Sequence, residues 1–179
     1  MDSNAAALST VRSNDHIARL SAIRRPICDT IERHMSLPKP QLQKARVLFI
    51  CIGNSCRSPM AESIALRDSS EVFDCTSAGL SPLGIVQLRT IDTLKQNGYP
   101  VESLSSDPIV SEDWDAADLV INMTGYAKQR VFPRDEWHKI EDWDIADPYG
   151  REPDAYQRTF EDIRARIELL TARLGDRQR

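Results

Sequence analysis

The chain has 179 residues, 41% of them apolar, and carries 23 Lys and Arg against 27 Asp and Glu for a net charge of −4. That is room for one hydrophobic core without disulfides, and no apolar run approaches the roughly 18 residues of a membrane span. Residues 1–44 hold seven basic and four acidic side chains while the remainder holds 16 and 23, so the greater part is acidic and ill suited to nucleic acid.

The first predicted element is an amphipathic helix over Asp15–Met35, with Ile17, Leu20, Ile23, Ile27 and Ile31 at helical spacing and Pro26 expected to kink it. Its apolar face is expected to pack on the main domain or on a second copy of the chain. Leu37–Ala45, with two prolines, reads as a linker. Residues 1–44 are therefore a helical extension and linker, and 45–179 the main domain. "RVLFICI" (46–52) is a short β-branched run and predicts a buried strand. "PMAESIALRDSS" (59–70) predicts a helix with Pro59 in its first turn. "VFDCTSAG" (72–79) is a second strand, and "LGIVQLRTIDTLKQNG" (83–98) a helix closed by Gly98. An acidic turn leads to a third strand in "DAADLVINM" (115–123). "YAKQRVF" (126–132) predicts a short helix and "HKIEDW" (138–143) a fourth strand. The last element is a long helix over 153–175, with Tyr156, Phe160, Ile163, Ile167 and Leu170 on one face. Strands alternating with helices predict an α/β fold, a parallel sheet covered on both faces. Four cysteines, at 28, 51, 56 and 75, make no disulfide framework, and a reducing, cytoplasmic setting is the expectation.

In such folds ligands sit beyond the carboxyl ends of the strands. The loop "CIGNSCRS" (Cys51–Ser58) leaves the first strand there and feeds a helix N-terminus, where unpaired N–H groups and the helix dipole favour an anion. Gly53 and Asn54 tolerate positive φ and let the backbone of Ile52, Ser55 and Cys56 curl into a cradle. Arg57 can close it with a bidentate grip on an oxyanion. Cys51 would lie on the floor of this positive bowl, which favours its thiolate, and Ser58 can donate a hydrogen bond to the sulfur. The spacing thus puts a nucleophile beneath a bound phosphate. A nucleotide-binding P-loop is excluded because the Gly-Lys-Ser/Thr ending is missing. A zinc site or a Cys–His dyad would need histidines that lie far from the motif in sequence, at 16, 34 and 138. A thiolate attacking phosphorus also needs an acid for the leaving group. Asp147, before Pro148 in "DWDIADPYG" (142–150), is the candidate, with Asp142 and Asp144 as competitors. Tyr149 could stack on an aromatic substrate.

These segments, with "SAGLSPLG" (77–84) and "DPYG" (147–150), resemble the low-molecular-weight protein tyrosine phosphatases and their relatives, the thiol-dependent arsenate reductases, over about Arg46–Leu170. The resemblance implies a flavodoxin-like three-layer αβα fold with a four-stranded parallel sheet in the order 2-1-3-4. It implies Cys51 as nucleophile, Arg57 as phosphate clamp and Asp147 as general acid. Asn54 would hold the loop's shape, Ser58 would stabilise the thiolate, and Cys56 matches a loop cysteine that forms a reversible disulfide with the nucleophile in some members. No metal or organic cofactor is implied, and no membrane or nucleic-acid partner. The expected substrates are a phosphorylated protein or a small aryl phosphate, with phosphate, vanadate and arsenate as oxyanion ligands. The chain also departs from the pattern. Met123 is followed by Thr124 where many members have Asp. "SLSSDPIVSEDW" (103–114) offers no match for the histidine that often supports the loop. Gly150 stands where a second tyrosine often follows. "MTGYAKQRVFP" (123–133) has no cysteine, whereas thioredoxin-coupled reductases carry two relay cysteines there. The expected activity is hydrolysis of phosphotyrosine-type monoesters through a cysteinyl-phosphate. Arsenate reduction with an external thiol is the alternative, and a non-catalytic oxyanion-binding module a further one.

Overall fold

The computed structural model describes residues 43–177. The expected helix over Asp15–Met35, most of the linker, and Cys28 lie outside the described residues. From Ala45 the elements follow in order: β1 (Ala45–Cys51), α1 (Arg57–Asp68), β2 (Phe73–Gly79), α2 (Leu88–Gln96), α3 (Ser111–Ala116), β3 (Leu119–Asn122), α4 (Lys128–Val131), a 3₁₀ turn (Arg134–Lys139), β4 (Ile140–Asp142) and α5 (Pro153–Arg177). The four strands form one parallel sheet in the order β2-β1-β3-β4. This is the expected α/β architecture and strand order.

The alternation of side chains along β1 explains its continuous apolar run. Val47, Phe49 and Cys51 face one side, in a core shared with Met60, Ala61 and Ile64 of α1, Leu94 of α2, and Tyr156, Phe160, Ile163, Ile167 and Leu170 of α5. Leu48 and Ile50 face the other, with Val120, Phe132 and Ile140, and Trp114 and Trp137 packed against them. Both faces of β1 are thus dry, and the expected face of the C-terminal helix is fully used.

Several element boundaries differ from expectation. The second helix begins at Leu88 rather than Leu83. The backbone of 80–87 is engaged instead in hydrogen bonds to the loop after β1. The acidic turn before β3 is a helix, Ser111–Ala116, so Asp115 and Ala116 are helical and the strand starts at Leu119. Asp118 Oδ2 accepts from the Arg46 N–H at 2.9 Å, and the Asp118 N–H donates to the Arg46 carbonyl at 3.0 Å, fixing where β3 begins. His138 and Lys139 belong to the 3₁₀ turn, which leaves β4 with three residues. The short helix of 126–132 is confined to Lys128–Val131. Among the described residues no helix is long and apolar enough to cross a membrane.

Candidate active site

Parallel strands deliver their carboxyl ends to one edge, and β1 ends there at Cys51, opposite Gly79 of β2. The loop from Ile52 to Cys56 curls back to start α1 at Arg57. Asn54 takes a φ of 44°, which makes it the one non-glycine residue with positive φ among the described residues. Asparagine tolerates this conformation better than most side chains.

The loop's carbonyls are occupied from outside. Those of Cys51, Ile52 and Gly53 accept from the N–H groups of Leu80, Ser81 and Leu83 at 3.1, 2.8 and 3.0 Å. Ser55 O accepts from Gln87 N–H at 3.0 Å and from Thr90 Oγ1 at 3.2 Å. Ser106 Oγ adds a bond to Gly53 O at 3.0 Å while accepting from Gly84 N–H at 3.1 Å. Because a trans peptide points its N–H opposite its C=O, spending the carbonyls on neighbours leaves amides for the pocket. Gly79 permits this packing: a Cβ there would lie 2.9 Å from Asn54 Cβ, Asn54 N and Ile52 O.

A pocket of about 300 Å³ opens over the loop, lined by Cys51, Ile52, Gly53, Ser55, Cys56 and Arg57 on its floor and by Ser81, Leu83, Asp147 and Tyr149 at its walls. The Cys51 sulfur accepts from Ser58 Oγ at 3.0 Å. Arg57 is 3% exposed. Its Nη2 pairs with Asp147 Oδ2 at 2.6 Å, and its Nη1 reaches Ile145 O at 3.4 Å. Its Nε is buried with no hydrogen-bond partner among the described residues. Leaving a buried charged donor unpaired is costly, and a site that does so is shaped for a ligand acceptor. Asp147 Oδ1 accepts from Tyr149 N–H at 3.1 Å, which orients the carboxyl across the pocket mouth. The Tyr149 ring is 55% exposed beside it.

Comparison with known sequences covers the stretch of chain that holds this pocket. Residues 46–179 match the family described as low molecular weight phosphotyrosine protein phosphatase. The chain belongs to this family. Among its relatives is an arsenate reductase of Bacillus cereus, 35% identical over 70% of this chain and 92% of that protein. Another is a protein-arginine-phosphatase of Bacillus subtilis, 32% identical over 72% of this chain and 95% of its own length. The solved low molecular weight protein tyrosine phosphatase from T. tengcongensis superposes with a TM-score of 0.67 at 30% identity, covering 73% of this chain and 100% of that one. Three relatives thus carry three different activity names: arsenate reductase, protein-arginine-phosphatase and protein tyrosine phosphatase.

Within that family fold, Cys51, Arg57, Asp147 and Tyr149 line one pocket together with Ile52, Gly53, Ser55 and Cys56, while Asn54 and Ser58 lie behind the lining, joined by the Asn54 Nδ2 to Ser58 Oγ hydrogen bond of 2.8 Å. The two competing aspartates do not line it. Asp142 accepts from Asn122 Nδ2 and from the Lys128 N–H, which ties it to the start of α4. Asp144 is exposed, and its carbonyl accepts from Arg166. The Cys56 thiol is buried, with Ser55 Oγ at 3.8 Å. Burial pushes its pKa up, while hydrogen bonds with Thr90, Ser55 and Tyr156 pull the other way. Tyr156 is pushed up to about 12, first by burial and then by its Cys56 neighbour. Cys75, mid-strand in β2, lies against Glu62 O at 3.8 Å, and its thiol is pushed up to about 12 by burial and by nearby Glu62 and Asp74. That is an inert thiol.

Sequence reasoning missed the residues that brace the loop. "SLSSDPIVSEDW", which lacks the family's histidine, supplies Ser106 Oγ to Gly53 O and Asp107 N–H to Asn54 Oδ1 at 2.8 Å. Pro108 pairs beside Gly79 in an isolated bridge. Nothing in the spacing of small polar residues marks such contacts across 53 positions.

Proposed function

We propose that the chain hydrolyses phosphomonoesters with aromatic leaving groups, of the phosphotyrosine type, through a cysteinyl-phosphate. The observation that carries this reading is the buried, unpartnered Arg57 Nε beside Cys51, with Asp147 and Tyr149 across the pocket mouth. An ester phosphate seated on the loop takes the Arg57 guanidinium in place of the Asp147 carboxylate. Its equatorial oxygens rest on Arg57 and the loop amides. Cys51 attacks phosphorus in line and the ester P–O bond breaks. Asp147, released from Arg57, takes up a proton from solvent and gives it to the departing phenolate oxygen, then takes one from the water that cleaves the S–P bond. Ile52, Leu83 and Tyr149, all partly exposed at the rim, offer apolar surface to an aryl group.

Arsenate reduction is the second reading, favoured by the reductase among the relatives. It would use Cys51 as nucleophile toward arsenate and an external thiol as reductant. The segment after β3, Met123–Pro133, holds no cysteine to relay the oxidation. The test is a steady-state comparison of aryl phosphate, phosphoarginine and arsenate turnover, the last with several small thiols. Aryl phosphate should be preferred, and acid-quenched enzyme should retain phosphate on Cys51. Cys51→Ser should lose turnover yet still bind phosphate. Faster turnover of arsenate or phosphoarginine would replace the proposed substrate, and a turning-over Cys51→Ser would remove the mechanism.

A further inference from the structure

The reaction above uses nothing beneath Asn54, yet a line of hydrogen bonds runs on from that residue to a half-buried carboxylate on α1. Asn54 is engaged on every side. The Asp107 N–H, which can only donate, reaches one end of its amide at 2.8 Å, so that end is Oδ1. The other end, Nδ2, then gives its two hydrogens to Ser58 Oγ at 2.8 Å and Ser77 Oγ at 2.9 Å. Having accepted, each hydroxyl has its own hydrogen to place. Ser58 points its hydrogen at Cys51 Sγ, 3.0 Å away, with Ala78 O at 3.4 Å as the longer choice. Ser77 gives its hydrogen to Glu62 Oε2 at 2.6 Å.

We infer that Glu62 is a positioning residue for Cys51, acting through Ser77, Asn54 and Ser58. The inference rests on the reading of Cys51 as nucleophile. An ionised carboxylate only accepts, so it holds Ser77 as an acceptor for Asn54. Asn54, held from both ends, keeps the loop's left-handed turn and directs the Ser58 hydrogen to the sulfur. Ser77 faces α1 because it shares the side of β2 that Phe73 turns into the core. The site is not a cheap place for a carboxyl. Burial pushes the Glu62 pKa up, the Ser77 hydrogen bond draws it down, and the neighbouring Asp107 and Asp113 push it up again.

The network separates two effects that have opposite signs. Removing a negative charge near the sulfur would by itself favour the thiolate. Losing the aligned Ser58 hydrogen would disfavour it. The full chain carrying Glu62→Ala, Glu62→Gln or Ser77→Ala is therefore assayed in two ways: kcat and KM on an aryl phosphate, and the pH midpoint of Cys51 alkylation by iodoacetamide. Glu62→Ala should lower kcat by about tenfold with KM within about threefold, and should move the alkylation midpoint upward. Glu62→Gln keeps an acceptor oxygen and should restore both readings. Ser77→Ala should reproduce the Glu62→Ala effects, and the double variant should lose no more than either single one, as members of one chain do. A downward midpoint in Glu62→Ala, or a kcat within about twofold of the parent, overturns the inference. Should Glu62→Ala fail to fold, Ser77→Ala tests the same link. Alkylation needs no substrate, so a chain without phosphatase activity would still report on Glu62, and the two readings fail separately.

Discussion

Asp147→Asn should lower kcat on aryl phosphates by about 10²–10⁴-fold, and less for phenols that are already acidic leaving groups, because only the protonation is lost. The carboxyl lies across the pocket on Arg57, whereas Asp144 is exposed outside it. If Asp144→Asn gives that pattern and Asp147→Asn does not, the acid has been misassigned. Cys56 has a separate expected outcome. Peroxide converts the Cys51 thiolate to a sulfenic acid, and attack by the Cys56 sulfur would expel water and leave a disulfide that an external thiol reduces. Burial of Cys56 makes its thiolate scarce, so capture should be faster at alkaline pH. In Cys56→Ser most phosphatase activity should persist, and peroxide inactivation should become irreversible, read as recovery after reductant. Equal recovery in both proteins would reduce Cys56 to packing. Glu62 sets a pH dependence of stability. Its folded-state pKa is raised, chiefly by burial. Such a group contributes stability below the unfolded value and loses it as pH rises through the folded one. Glu62→Gln should therefore raise Tm at about pH 8, with the gain fading toward about pH 4. A gain that grows on acidification would reverse the assignment.

At the scale of elements, the phosphate loop depends on what β2 presents to it. Gly79→Ala would drive a Cβ to 2.9 Å from backbone atoms on both sides of Gly53. The expected result is at least tenfold lower kcat, about 1.4 kcal/mol of lost transition-state stabilisation, in a protein that keeps its far-UV circular dichroism. Unchanged activity would mean the loop has slack that the packing does not suggest. The requirement at Gly79 cannot be read from "SAGLSPLG", because the neighbour that imposes it is 25 residues away. β1, α1 and α5 were legible because their apolar periods match the faces they bury. Cys51, Arg57 and Asn54 were legible because a strand–loop–helix with that spacing has few other uses. The start of α2 was not. Residues 83–87 extend the apolar run of the helix, but Gly84 takes a φ of 75° and the Leu83 and Gln87 N–H groups bond the carbonyls of Gly53 and Ser55 instead of beginning a helix. The helix at Ser111–Ala116 was hidden by its acidity, its main packing residue being Trp114 against Phe132 at 5.5 Å.

For the whole molecule, the described residues that line the pocket all belong to the segment after Pro40. Deleting residues 1–44 is therefore expected to leave a folded protein with the aryl phosphatase activity of the full chain. A shortened protein that is folded by circular dichroism but inactive would show that those residues help to build the site. The sheet has a second consequence, for protein engineering. All four strands point the same way, so the chemistry gathers at their carboxyl ends and the opposite edge is left for scaffolding. The exposed turn at Ser70 and Glu71, between α1 and β2, lies on that opposite edge. It is the natural place to splice in an epitope, a fluorescent reporter or a binding module. A splice of equal length between Leu83 and Gly84 would instead cut the backbone segment that carries the phosphate loop. The parallel topology thus gives the protein a working end and a handle.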